Sequence, residues 1–175
     1  MIHLPEILRY EAFDEDWESY VAAVYECFCE LKTANLRLDG LPVKLNDYRL
    51  FKGCEETFWH VTGEGPDRDP AFRRCERVPW ILPILGNTAD PDVLIWRDPS
   101  RGEPRTIVWY QPENYVIVLR HRPGRDERLL TAYDLLPHRV GKLRKQYEEA
   151  MTVIDRKQKA GGGLADSDTP SAPGR

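Results

Sequence analysis

The chain has 175 residues, 41% of them hydrophobic and 31% charged, with a formal net charge of −4. That apolar content suffices for one domain with its own core, and no apolar run approaches the roughly 18 residues that span a bilayer. The opening MIHLPEILRYEAFDEDW has neither a basic n-region nor an apolar h-region, so a cytoplasmic protein is expected.

From Asp14 to about Leu31, apolar residues fall at Trp17, Tyr20, Val21, Val24, Phe28 and Leu31. This is the three-and-four spacing of an amphipathic helix. Asp14 is the expected N-cap, with Glu15, Asp16 and Glu18 favouring the positive end of the helix dipole. Residues 32–56 contain the breakers Asp39-Gly40, Leu41-Pro42 and Gly53 around a short strand. Phe58 to Thr62 alternates bulky residues before Gly63-Glu64-Gly65-Pro66, which predicts a strand running into a flexible loop. Asp69-Pro70 reads as an N-cap followed by proline at the first helical position, opening a short helix through Arg77. A further turn or two is expected from Pro79 to Leu85, stopping at Gly86.

Strands are predicted at Val93–Trp96, Thr106–Gln111 and Tyr115–Leu119, the last two joined through Pro112-Glu113-Asn114 as a hairpin. Leu129–Leu135 makes another. Pro137 opens the final helix, with Val140, Leu143, Tyr147 and Met151 on one face and Arg139, Lys142, Arg144 and Lys145 largely on the other. From about residue 160 the glycine run and the Ser/Asp/Pro content are too poor in apolar groups to pack, so a disordered tail is expected at 160–175. The expected fold is α+β: N-terminal helices packed on a small, mainly antiparallel sheet of four to five strands, with a C-terminal helix. Residues 1–55 form the N-terminal helical region and 56–151 the core.

Cys27, Cys29, Cys54 and Cys75 include no CxxC pair, so reduced buried thiols are expected, with neither zinc nor a disulfide framework. Charge is unevenly spread. Residues 1–59 hold 6 Lys/Arg against 12 Asp/Glu, whereas residues 60–145 hold 15 against 12. The central segment is therefore compatible with an anionic partner despite the acidic whole.

Cleaving RNA without a metal needs a base for the ribose 2′-hydroxyl, a proton for the leaving oxygen and cations for the phosphorane. His60 is the best placed of the four histidines for a proton step, because imidazole titrates near neutrality. A histidine beside Trp59 is also a common structural residue. Arg73, Arg74 and Arg77 would cluster on the short helix, where guanidinium forks suit phosphate, unless they pair with Glu76, Asp67 or Asp69 on a solvated face. Thr131 and Tyr133 share one face of their strand, Thr62 adds a hydroxyl, and Arg120 at a strand end is a further phosphate ligand. No P-loop or dinucleotide fingerprint, HExxH or nucleophile elbow is present.

The order Trp59-His60-x-Thr62, Arg73-Arg74-Cys75-Glu76-Arg77-Val78-Pro79-Trp80, Val108-Trp109, Tyr115-Val116-Ile117-Val118-Leu119 and Leu130-Thr131-Ala132-Tyr133 resembles the phage-associated branch of the barnase, EndoU, colicin and RelE-like nuclease superfamily, over about residues 56–147. The resemblance implies helices on a four-stranded antiparallel sheet and a metal-independent ribonuclease that needs no cofactor. It matches His60 to the motif histidine, Arg74 and Arg77 to the basic helix, and Thr131 with Tyr133 to the terminal-strand polar pair. Taken with the residue chemistry above, His60, Arg77, Thr131 and Tyr133 are the expected catalytic set, and Thr62, Arg73, Arg74, Trp80 and Arg120 the expected substrate-binding set. RNA, tRNA included, is the implied partner, with an immunity or antitoxin protein to neutralise a toxin; DNA, lacking the 2′-hydroxyl, and membranes are not. The alternative is a non-catalytic RNA- or protein-binding module on the same fold, in which Trp59, Trp80 and Trp109, if exposed, would stack bases, although most of these tryptophans are expected in the core.

Overall fold

The computed structural model describes residues 1–45, 49–98 and 102–161, with side chains described as far as residue 156. The tail expected from residue 160 falls almost wholly outside these residues. The first long helix, α1 (Trp17–Thr33), buries Tyr20, Val24, Phe28 and Leu31, the stripe expected from its spacing. Its cap is Asp16, not Asp14: the Asp16 carboxylate accepts from the Glu18 amide at 3.2 Å. Asp14 instead closes a preceding 3₁₀ turn in a left-handed conformation, φ 52°.

Strands β1 (Arg37–Leu38) and β2 (Leu41–Lys44) form a hairpin. Two-residue strands β3 (Leu50–Phe51) and β4 (Cys54–Glu55) then lead into helix α2 (Glu56–Thr62). This corrects the strand expected at Phe58–Thr62. Aromatic and β-branched content favours a strand locally, but Thr57, Phe58, Trp59, Val61 and Thr62 are all buried, which a one-faced strand alternation would not achieve. The wide apolar arc of a short helix leaves Glu56 and His60 together, one turn apart. Nor is the following segment an open loop: β5 (Gly63–Glu64) pairs with β6 (Asp69–Pro70). Gly63 is required there, since a Cβ would lie 2.7 Å from the Arg68 carbonyl oxygen and 2.8 Å from that of Trp59.

Helix α3 (Phe72–Cys75) is shorter than the Asp69–Arg77 helix expected, because Asp69 and Pro70 belong to β6. A 3₁₀ turn at Val78–Trp80 and helix α4 (Ile81–Gly86) follow. Four strands then run as an antiparallel meander, β7 (Val93–Asp98), β8 (Arg105–Tyr110), β9 (Tyr115–Arg122) and β10 (Asp126–Asp134), before α5 (Pro137–Gly161).

The α+β class is as expected, but the sheet is larger, with six strands in the order β1-β2-β10-β9-β8-β7. The added hairpin joins through a parallel pairing of β2 with Glu127 and Arg128 of β10. One sheet face carries Val108, Tyr110, Tyr115, Ile117, Leu119, Leu129 and Ala132 into the main core under α1, α2 and α4. The other carries Ile107, Trp109, Val116 and Val118 against Leu143 of α5. Trp59, Trp80 and Trp109 are all buried, in line with the core placement expected for most of them, so none is exposed for the base stacking that the binding-module reading would use. Among the described residues, no helix is long and apolar enough to cross a membrane.

Candidate functional site

Beyond Arg128, β10 has no strand partner on its outer side among the described residues. An uncovered edge would leave backbone donors and acceptors unpaired, and α2 and α3 lie along it. A bulge between Leu129 and Thr131 re-registers β10 there. Thr131 then turns its hydroxyl to α2, donating to the His60 carbonyl oxygen at 2.7 Å. Arg74 Nη1 donates to the same carbonyl and to Thr131 Oγ1, each at 3.3 Å. The last turn of a helix has unsatisfied carbonyls, so Thr131 and Arg74 satisfy one and fasten α2 to the sheet. Arg74 also pairs with Glu64 at 3.1 Å and lies 5.5 Å from the Tyr133 ring centroid.

Docking α2 in this way turns the His60 imidazole into a cavity of about 510 Å³, lined by Arg49, Glu56, Thr57, Arg120, Arg128, Leu129 and Leu130. His60 Nε2 is 3.6 Å from Glu56 Oε1, near enough for charge interaction but too far for a good hydrogen bond. Burial pushes the imidazole pKa below its ordinary value and the nearby Arg68 charge adds to this, while Glu56 opposes both. The net effect favours neutral imidazole, able to accept a proton at neutral pH.

A second cavity, about 580 Å³, lies between α5 and the sheet face that carries Ile107 and Val118. Arg74, Arg105, Thr131, Tyr133, Arg139 and Lys142 line it, together with the buried Ile107, Val118 and Leu143. His60 and Tyr133 therefore open into different cavities. A third, about 430 Å³, holds Arg73, Arg74 and Tyr133 beside Asp134, with which Arg73 pairs.

Of the remaining expected site residues, Arg77, Trp80 and Thr62 are placed elsewhere. Arg77 turns to Glu76 at 3.1 Å and to the Trp80 ring, 5.2 Å from its centroid, while its Nη1 donates to the Arg73 carbonyl at 2.9 Å. Trp80 is buried and donates from Nε1 to the Pro5 carbonyl at 2.9 Å. Thr62 is buried and its hydroxyl returns to the Phe58 carbonyl at 2.8 Å. Arg120 does reach the His60 cavity, paired at 2.8 Å with Glu103, whose side chain is 63% exposed.

Sequence reading missed Arg49, Glu56 and Arg128 at the first cavity. Glu56 was legible only by treating 56–62 as a helix, where the four-residue separation from His60 becomes one turn. Arg128 falls just before the strand start inferred from Leu129, and its contribution depends on β10 beginning at Asp126. Among the described residues, no group of three or more His, Cys, Asp and Glu side chains is arranged to hold a metal ion. Comparison of the chain with protein-family models, curated proteins and solved structures gave no match.

Proposed function

We propose that this chain is a metal-independent ribonuclease whose reaction centre is the His60 cavity. One observation carries the reading: a half-buried imidazole with a lowered pKa shares a cavity with a carboxylate, Glu56, and the guanidiniums of Arg49, Arg120 and Arg128. In the proposed step neutral His60 takes the 2′-hydroxyl proton and O2′ attacks the adjacent phosphorus. The P–O5′ bond breaks, leaving a 2′,3′-cyclic phosphate, and water in the open cavity protonates the departing 5′-oxygen. Glu56 stabilises the imidazolium that forms, and Arg120 with Arg128 stabilises the phosphorane charge, the largest contribution in many enzymes. Thr131 and Arg74 act as positioning residues through the His60 carbonyl. The antiparallel meander behind N-terminal helices is in keeping with the fold that the nuclease resemblance implies. On that resemblance the protein is a toxin-like or phage-associated nuclease acting on RNA, tRNA included, with an immunity or antitoxin protein as its partner.

The second reading is a non-catalytic RNA- or protein-binding module, favoured by the engagement of the Thr131 hydroxyl with backbone and the opening of Tyr133 into another cavity. The two are separated by incubating the purified protein and its His60→Ala variant with matched RNA and DNA oligonucleotides in EDTA. The enzyme reading expects RNA fragments ending in cyclic phosphate, intact DNA and a silent variant. A need for added Mg²⁺, cleavage of DNA, or undiminished cleavage by the folded variant rejects this mechanism. Intact RNA across a broad panel selects the binding module.

A further inference from the structure

Strand register lines up charge across the sheet in a way that the strand sequences taken singly do not reveal. Arg105 of β8 lies opposite Arg120 of β9, and Arg120 lies opposite Arg128 of β10. Directly opposed residues in antiparallel strands share a face, so three guanidiniums form a row over two strand spacings, roughly 10 Å. The row lies on the α5 side, since Arg105 lines that cleft with Ile107 and Val118. Like charges directly opposed across strands destabilise a sheet unless anions offset them. The fold supplies some compensation: Glu103 meets Arg120, and Asp126 approaches Arg128 at 3.4 Å. Asp98 is opposite Arg105 and lines the same cleft. Yet Arg105 Nε is shielded from solvent without a hydrogen-bond partner among the described residues. Arg139 and Lys142, three residues apart on α5 and exposed, face the cleft from above.

The cleft thus gathers four cationic side chains, Arg74, Arg105, Arg139 and Lys142, against one carboxylate, Asp98. Its neighbour at the other end of the arginine row is the His60 cavity, which Arg120 and Arg128 line. We infer that the cleft between α5 and the sheet is a second phosphate site, continuous with the His60 cavity along Arg105, Arg120 and Arg128, and that it holds phosphates flanking the one bound beside His60 on the same polynucleotide strand. This rests on the ribonuclease reading for which phosphate lies beside His60, but the cleft's own binding does not depend on cleavage. Two cavities joined by a cationic row suit a ligand with several phosphates in series, whereas a mononucleotide phosphate fills one of them.

The test uses fluorescence anisotropy over a salt series with 2′-O-methyl oligonucleotides, which cannot undergo transesterification. A dinucleotide and a dodecanucleotide are compared on the full chain, on Arg105→Gln and on the surface double variant Arg139→Gln/Lys142→Gln. The dodecanucleotide is expected to bind both variants more weakly, with the slope of log K against log salt reduced by about 0.7 for each phosphate that is no longer neutralised. Dinucleotide binding at the His60 cavity is expected to stay within twofold of wild type. Should Arg105→Gln fail to fold, the double variant, which removes only exposed side chains, carries the test alone.

Unchanged affinity and slope for the dodecanucleotide in the double variant overturns the inference and leaves an acidic protein surface as the cleft's occupant. Failure of the wild type to bind the dodecanucleotide overturns it as well. Equal losses for both oligonucleotides show one site instead of two, and displacement of the long strand from the cleft by uridine monophosphate with no dependence on strand length shows a free nucleotide site. Cleavage of unmodified RNA is measured separately: variant-sensitive binding without cleavage removes the catalytic reading and keeps this one, while cleavage with variant-insensitive binding does the reverse.

Discussion

His60 sits where three influences meet: burial and Arg68 oppose its protonation, and Glu56 favours it. Because the net shift is downward from the ordinary value near 6.5, the neutral form that the proposed reaction requires persists to lower pH than in a free imidazole. The acidic limb of kcat/KM is therefore expected below pH 6.5. Arg68→Gln should move that limb upward, read from a pH–rate profile, and a limb that stays in place would remove Arg68 from the account. The same shift makes the unfolded chain bind more protons than the folded one between the folded pKa and 6.5. This contribution to stability is fully present above pH 6.5 and is lost as pH falls through that window. Urea midpoints of the wild type are thus expected to fall more than those of His60→Gln on acidification below pH 6.5. A His60→Ala variant is expected to lose on the order of 10²–10⁴-fold in activity, the usual worth of general acid–base catalysis, while its circular dichroism spectrum stays native.

At the scale of elements, α2 is seven residues long, too short to persist alone, so its position depends on its attachment to β10. The Thr131 hydroxyl bonded to the His60 carbonyl is one such attachment. Thr131→Val should cost about 1 kcal/mol of unfolding free energy, the net worth of a hydrogen bond, and should lower kcat more than it raises KM. Thr131→Ser should restore both. If Val and Ser behave alike, the hydroxyl is not the tether. The turn that ends α2 offers a second check. Gly63→Ala forces a Cβ against two backbone carbonyl oxygens that cannot swing aside, so a loss of about 1–3 kcal/mol is expected. Gly141, exposed within α5 with open space at its Cβ position, should respond oppositely to alanine, with a gain of about 0.5–1 kcal/mol from helix propensity. Thermal and urea denaturation of the two variants side by side tests the contrast.

Across the whole molecule, one buried carboxylate joins the strands beneath the site. Glu127 is fully buried. It accepts from Thr106 at 2.8 Å, lies 2.6 Å from both Arg97 and His121, and so links β10 to β7, β8 and β9. Arg97 extends the connection to Asp39 at 2.9 Å, in the turn between β1 and β2. Glu127→Ala takes away the buried partner of Thr106 and His121, while Arg97, about one-third exposed, keeps Asp39, so a loss of about 1–3 kcal/mol is expected. Equilibrium urea unfolding measures it, and a loss below about 1 kcal/mol, the range of an exposed ion pair, would show that solvent reaches Arg97 and His121 as readily as it reaches surface groups.

Elements with strong local signals were readable from residue order alone. The α1 stripe from Tyr20 to Leu31, the β8–β9 hairpin at Tyr110 to Tyr115, the proline-started turns near Pro79 and the final helix from Pro137 each carry a periodicity or a backbone restriction that favours one conformation. His60 and Arg120 were also identifiable as cavity residues, because imidazole and guanidinium chemistry is intrinsic to the side chain. The helical state of Glu56–Thr62 was not, since a short aromatic and β-branched segment suits a strand equally well until a core claims more than one of its faces. The pairing of Glu56 with His60 follows from that choice. The arginine row needs the register of three strands, and the separation of His60 from Tyr133 needs α2 docked on the edge of β10. Local preference acts over a few residues and sets element type where the pattern is unambiguous; which charges meet depends on long-range packing that brings together residues as distant as Glu56 and Arg128.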